Sequence, residues 1–272
     1  MDSKFYDFLL ASGKTETTAN TYKYLFDRHL NINVMDFGKV KDLLISSKTP
    51  LSERHILKAL LINYYAFIEN TELTERLKGL KVVFKSEERD IEFSKEEIEK
   101  VIAVAKYPWN LMIRIFWETG LRKSILLNMT PANIKMKDNA IHVPKMFPGN
   151  KAKIKFNVVL TDKTFAALLD YIKAKRTGTN SKVFGALFKN SKYFLQLTNN
   201  MLIYFAKKAC IENYKQFTPH SIRHSHATYY LEFGGKIESL SFELGHKDIR
   251  HTQRYTRKKN TQLLQDHKNI KW

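Results

Sequence analysis

Five of the nine histidines fall between positions 220 and 251: His220, His224, His226, His246 and His251. His220 and His224 are four residues apart, which on a helix places two imidazoles on one face and suits a metal ion. No Glu follows His220 as in an HExxH motif, no Cys lies near, and no third ligand presents itself, so no metal or cofactor is expected. Arg223 sits between these histidines, and Arg122 follows Thr119-Gly120-Leu121 at a helix junction. A guanidinium is a permanent cation with a planar fork of N–H donors, shaped to grip two oxygens of a phosphate. Tyr255 closes the series; taken alone it is one of 13 tyrosines and would be a packing residue.

The whole chain is biased toward such an anion. Its 272 residues carry 46 Lys+Arg against 27 Asp+Glu, a formal charge of +19. Residues 1–89 hold 14 basic and 12 acidic side chains, whereas residues 90–272 hold 32 and 15. A merely solubilising excess would not divide this way, so the second segment carries the electrostatic footprint, and the default polyanion is nucleic acid. Apolar residues at 43% and aromatics at 12% exclude a disordered or collagenous chain. No apolar run approaches the ~18–20 residues that cross a bilayer. The opening residues lack the basic and apolar pattern of a secretory signal. Cys210 is the sole cysteine, so an intramolecular disulfide and a Cys-rich zinc site are excluded.

These residues need elements to hold them. The first segment has helical periodicity: Tyr22, Leu25, Phe26 and Leu30 share one face, and an apolar run from Ile56 to Ile68 follows Pro50 and Ser52, with Asn70 expected to end it. Residues 85–93 are expected to form a polar linker. Ser94-Lys-Glu-Glu97 has capping-box spacing and opens a helix with Ile98, Val101 and Ile102 inside. Pro108 breaks it, and Leu111–Thr119 forms the next helix, ending at Gly120. The period then switches to two in Ile141–Val143 and Ile154–Val158, a hairpin around Pro148-Gly149-Asn150. Thr161 caps another helix through Ile172, and Val183-Phe184 is expected to be either a third strand or a loop. From Asn199 the chain is expected to be helical almost to Trp272, broken at Thr218-Pro219 and Gly234-Gly235.

Order and spacing join the scattered residues. The string His220-Ser-Ile-Arg223-His-Ser-His-Ala-Thr, then Leu244-Gly-His246, then Thr252-Gln-Arg-Tyr255, resembles the catalytic half of the tyrosine recombinase (phage integrase) family. Arg223 precedes His246 by 23 residues, His246 precedes Tyr255 by nine, and Thr119-Gly-Leu-Arg122 supplies the family's upstream box. The resemblance covers roughly residues 90–257. It implies a mainly α protein with a small antiparallel β-sheet (α+β). Residues 1–84 would be a helical, SAM-like core-binding domain, and residues 94–272 a catalytic domain with a C-terminal tail helix.

The resemblance also implies roles. Tyr255 would be the nucleophile, forming a 3′-phosphotyrosine; a free phenol is weak, with a pKa of about 10, so nearby cations must favour the phenolate. Arg122 and Arg223 would neutralise the nonbridging oxygens of the transition state, and His246 would donate to one of them. His220 is a candidate general base or orienter. A Lys in the hairpin loop would protonate the leaving 5′-oxygen. Relatives carry that Lys directly before Gly-Asn, whereas this chain has Pro148-Gly149-Asn150-Lys151. Counting back from the second strand selects Lys151, which is preferred; Lys145 and Lys153 are alternatives. Ile125 stands where relatives often have an acidic residue. His226 falls where they carry an aromatic, so it and His224 are expected to pack, and Ser221 and Ser225 are expected not to be nucleophiles.

By the same resemblance the partner is double-stranded DNA, clamped by the two modules and recombined by a homo-tetramer, without metal or ATP. Leu263, Leu264, Ile270 and Trp272 give the tail an apolar side expected to dock on a neighbour. The expected location is the cytoplasm or nucleoid, with no membrane association. The alternatives are a type IB topoisomerase-like nicking-closing enzyme and a non-catalytic DNA-binding relative.

Overall fold

The computed structural model describes residues 1–30, 34–46, 49–82, 91–188 and 194–256, which fall into two compact units, Met1–Arg89 and Asp90–Trp272. Residues 85–90 of the expected linker and the whole apolar tail from Leu263 to Trp272 lie outside the described residues. Among the described residues no helix is long and apolar enough to cross a membrane.

The first unit is helical: α1 (Ser3–Ala11), α2 (Glu16–His29), α3 (Phe37–Ile45), α4 (Leu51–Phe67) and α5 (Thr71–Gly79). Side chains of Asp2, Thr15, Asp36 and Asn70 accept from backbone N–H groups at four helix starts, satisfying donors that have no intrahelical partner. Asn70 therefore does not end α4, which stops at Phe67; it caps α5. The apolar stripes meet in a core that includes Phe5, Leu9, Leu25, Val40, Leu44, Leu57, Leu60 and Tyr65. Tyr22 and Tyr65 lie in this core, whereas Tyr24, off the stripe of Tyr22, Leu25 and Phe26, is 58% exposed and its hydroxyl accepts from Arg28.

The second unit opens with α6 (Lys95–Val104), whose Ser94–Glu97 capping box is present in both directions. Next come α7 (Trp109–Thr119) and α8 (Lys123–Asn128), then β1 (Ile134–Lys135), β2 (Ala140–Val143) and β3 (Phe156–Val159). The sheet is antiparallel in the order β1-β2-β3, with Ile141 opposite Val158 and Val143 opposite Phe156, so one face feeds the core. The third strand is thus β1. Val183-Phe184 instead forms a buried turn, the Val183 N–H donating to Met129 O, because a single pair of apolar residues has no neighbouring edge to extend.

Then follow α9 (Asp162–Ala174), capped by Thr161, and α10 (Phe194–Lys208). The remainder is α11 (Pro219–Glu232), α12 (Ile237–Glu243) and α13 (Arg250–Gln253), ending in a single 3₁₀ turn over Arg254–Thr256. Thr218 and Ser221 cap α11, with Pro219 in the first turn where a missing N–H costs nothing. This helix has no apolar face: Ile222, Arg223, His224, Ser225, His226 and Ala227 are all buried. A helix wrapped on every side by protein must find partners for its polar groups inside the fold.

Candidate active site

Arg122 is delivered by a tight turn between two helices. Gly120 closes α7 in the left-handed conformation, φ 57°, and a Cβ there would lie 2.6 Å from His226 Cδ2. Both facts exclude a side chain, which accounts for the Gly of the upstream box. Two residues later Arg122 occupies the N-cap of α8 and points at the carbonyls of Leu244 and Gly245 through long contacts of 3.4 and 3.5 Å.

Arg223 is held far more firmly. It is only 6% exposed; its Nη1 donates to Gly120 O at 2.7 Å, and its Nη2 to Leu244 O at 2.9 Å and to His246 Nε2 at 3.0 Å. One side chain on α11 therefore ties the Gly120 turn to the Leu244-Gly245-His246 segment after α12. Because a guanidinium only donates, His246 Nε2 accepts and the ring proton lies on Nδ1, which donates to Thr252 Oγ1 at 2.7 Å.

Tyr255 lies in the final 3₁₀ turn, packed against Ala227, Leu240 and Leu244, its ring edge-on to His224 with centroids 4.9 Å apart. Burial pulls the pKa of Arg122 below its ordinary value, and Tyr255 opposes that pull. A phenolate on Tyr255 would therefore meet a stabilising cation.

The three lysine candidates share the loop between β2 and β3. Asn150 organises it, its buried Nδ2 donating to Pro144 O, Lys145 O and Ile154 O. Gly149, at φ 86°, packs so closely on Ser124 that a Cβ would collide with the hydroxyl. The loop is thereby docked onto the first turn of α8, directly after Arg122.

The result is one cleft of about 1070 Å³ lined by Arg122, Lys145, Lys151, Lys153, His220, Arg223, His246 and Tyr255. Lys123, Lys247 and His251 also line it, and none of its described lining residues is Asp or Glu. Every expected site residue is thus gathered in one place, His220 being exposed. Among the described residues no group of three His, Cys, Asp or Glu side chains could hold a metal ion.

The expected bystanders are built into the scaffold. His226 Nδ1 donates to Trp117 O at 2.7 Å at the end of α7, and burial pushes its pKa down to about 4. His224 is buried, its Nδ1 3.9 Å from Glu92. Ser225 is buried, accepting from Phe93 N–H, and Ser221 belongs to the α11 cap. Ile125 is a core residue. Sequence reasoning missed Thr252, which orients His246, although Thr252 stands three residues before Tyr255 in the quoted string. It also missed Lys123 and His251 in the cleft.

The family model described as "Phage integrase family" matches residues 92–262. The chain belongs to this family. Tyrosine recombinase XerA of Saccharolobus solfataricus is 33% identical over 161 residues, covering 59% of this chain and 50% of that protein. XerA of Pyrococcus furiosus is 26% identical over 263 residues, 93% and 88% of the two chains. Half the length of the first relative is therefore spanned, and most of the second. Among solved structures, the Tn1549 transposon integrase in complex with a circular intermediate DNA superposes with TM-score 0.72 at 15% identity, covering 98% of each chain. At that identity the likeness shows the integrase fold: mostly helical with a small antiparallel sheet, as expected.

Proposed function

We propose that this integrase-family chain is a site-specific DNA recombinase that cuts and rejoins duplex DNA through Tyr255. The observation that carries this reading is the shared cleft: a phenol, two guanidiniums, three imidazoles and five lysines with no carboxylate among the described lining residues. Such a cavity fits a phosphodiester whose transition state gains negative charge.

In the proposed reaction Tyr255 Oη attacks phosphorus, the P–O5′ bond breaks, and a 3′-phosphotyrosine forms. Arg122 and Arg223 hold the nonbridging oxygens, and His246 donates to one of them. For that, phosphate must replace Arg223 as the partner of His246 Nε2, and Nε2 must then carry a proton. His220 accepts or orients the phenol proton, and Lys151, or Lys145 or Lys153 from the same loop, gives a proton to O5′. Attack by a new 5′-hydroxyl reverses each step, so the bond energy is conserved in the ester and no ATP is needed.

The wider assembly rests on the same reading. Residues 1–84 and 94–272 would clasp the duplex, and four protomers would pair two sites in the cytoplasm or nucleoid. The DNA in the Tn1549 integrase structure supports a duplex partner. The deciding test is a nicked suicide duplex bearing the recombination site, to be sought in the DNA flanking the gene. The wild type should become covalently attached, and Tyr255→Phe should bind without attaching. A wild type that binds but never attaches would overturn the reading in favour of a non-catalytic DNA-binding protein. Deletion of residues 260–272 should abolish tetramers on DNA while leaving attachment to a single site.

A further inference from the structure

We infer that Lys123 forms a second phosphate site in the cleft, one that grips a neighbouring, uncleaved phosphodiester; the inference rests on the duplex-DNA reading above. Arg122 and Lys123 are adjacent at the start of α8, where successive side chains diverge by about 100° around the helix axis. They diverge here. Arg122 faces the Leu244–Gly245 carbonyls, whereas Lys123 Nζ donates to Leu195 O at 3.0 Å and Asn199 Oδ1 at 2.8 Å, both on α10. One phosphate cannot occupy both directions, so the lysine addresses a different one.

The charge balance at Lys123 points to an anion. Its two partners are neutral acceptors, which fix the ammonium in place and, among the described residues, leave its third N–H unused. Among the described residues Lys123 makes no ion pair, and the cleft around it is lined by further cations, among them Lys145 and Lys151. Burial already holds its pKa below the ordinary lysine value. An internal tether alone would be served by an uncharged donor. A fixed cation, half withdrawn from water among other cations, gains most when a phosphate arrives.

The test measures binding of the full chain to the suicide duplex over a range of salt, for the wild type, Lys123→Gln, Lys123→Met and Lys123→Arg. Each protein also meets duplexes in which single phosphates flanking the cleavage point are replaced by neutral methylphosphonates. Loss of one phosphate contact flattens the slope of log K against log salt by about 0.9. The two neutral variants should therefore lose about 3- to 4-fold less affinity than the wild type between 50 and 200 mM salt, and Lys123→Arg should behave like the wild type. One methylphosphonate, away from the scissile position, should weaken wild type and Lys123→Arg yet leave the neutral variants unaffected. Identical slopes and identical methylphosphonate profiles in whichever neutral variant folds would overturn the site and reduce Lys123 to a tether between α8 and α10. Covalent attachment of the wild type to the same duplex reports on the recombinase reading separately, so the two failures are distinguishable.

Discussion

Arg223 Nη2 donates to His246 Nε2 across 3.0 Å, so two groups expected to face the same phosphate also face each other. The same guanidinium also carries the carbonyls of Gly120 and Leu244. Its removal would leave buried acceptors without donors as well as an empty phosphate position.

Arg223→Ala is accordingly expected to lose about 2–4 kcal/mol of stability in addition to all covalent attachment. Arg122→Ala, whose contacts are long and partly solvated, should lose attachment while stability stays within about 1 kcal/mol. Urea titrations of both variants, beside the suicide-duplex assay, check the contrast. Equal destabilisation would show that the two arginines are not divided in this way.

The proton donor is found by changing the leaving group. Lys151→Ala should cleave ordinary DNA on the order of 100-fold more slowly. On a duplex with sulfur in place of the bridging 5′-oxygen it should approach the wild-type rate, because a thiolate departs without a proton. Lys145→Ala and Lys153→Ala should weaken binding and show no such rescue. Rescue of either one instead would move the role to that residue.

Gly149 tests how the loop is held. Any side chain there must adopt φ 86° and displace Ser124, so Gly149→Ala is expected to cost about 1–2 kcal/mol in backbone strain. It should also slow cleavage of ordinary DNA more than cleavage of the sulfur-substituted duplex, since what moves is the proton donor. A uniform loss on both substrates would mean that the loop serves binding only.

His226 sets an acid limit on the fold. Its pKa of about 4 in the folded protein lies below the usual value near 6.5, so the folded state favours the neutral ring. Stability from this group is complete above about pH 6.5 and is lost as pH falls toward 4, where the unfolded chain takes up a proton that the folded chain refuses. The loss is about 3 kcal/mol across that window. His226→Phe should flatten the acid limb of a stability-against-pH curve. An unchanged limb would rule out His226 as its source.

Much of this was legible in the residues. The Ser94 capping box, the Gly120 stop and the Thr161 cap are local chemistry, and the structure has each of them. The family resemblance carried by Arg223, His246 and Tyr255 implied a shared site, and all three line one cleft. What escaped were features that depend on tertiary neighbours. Val183-Phe184 has strand composition but pairs with no edge. Thr252 becomes part of the site only because α13 carries it to His246, and Lys123 only because α10 brings acceptors to it.

The burial of the middle of α11, residues 222–227, constrains how such a protein can change over time. Its Arg223 is a structural member of the interior as well as a group of the cleft, and His224 and His226 are buried beside it. A descendant released from the proposed reaction could exchange Tyr255 or Arg122 at little cost to folding, and would keep α11 nearly intact. Loss of activity should therefore leave a recognisable trace: the nucleophile vanishes first, and the polar helix persists long after the reaction has gone.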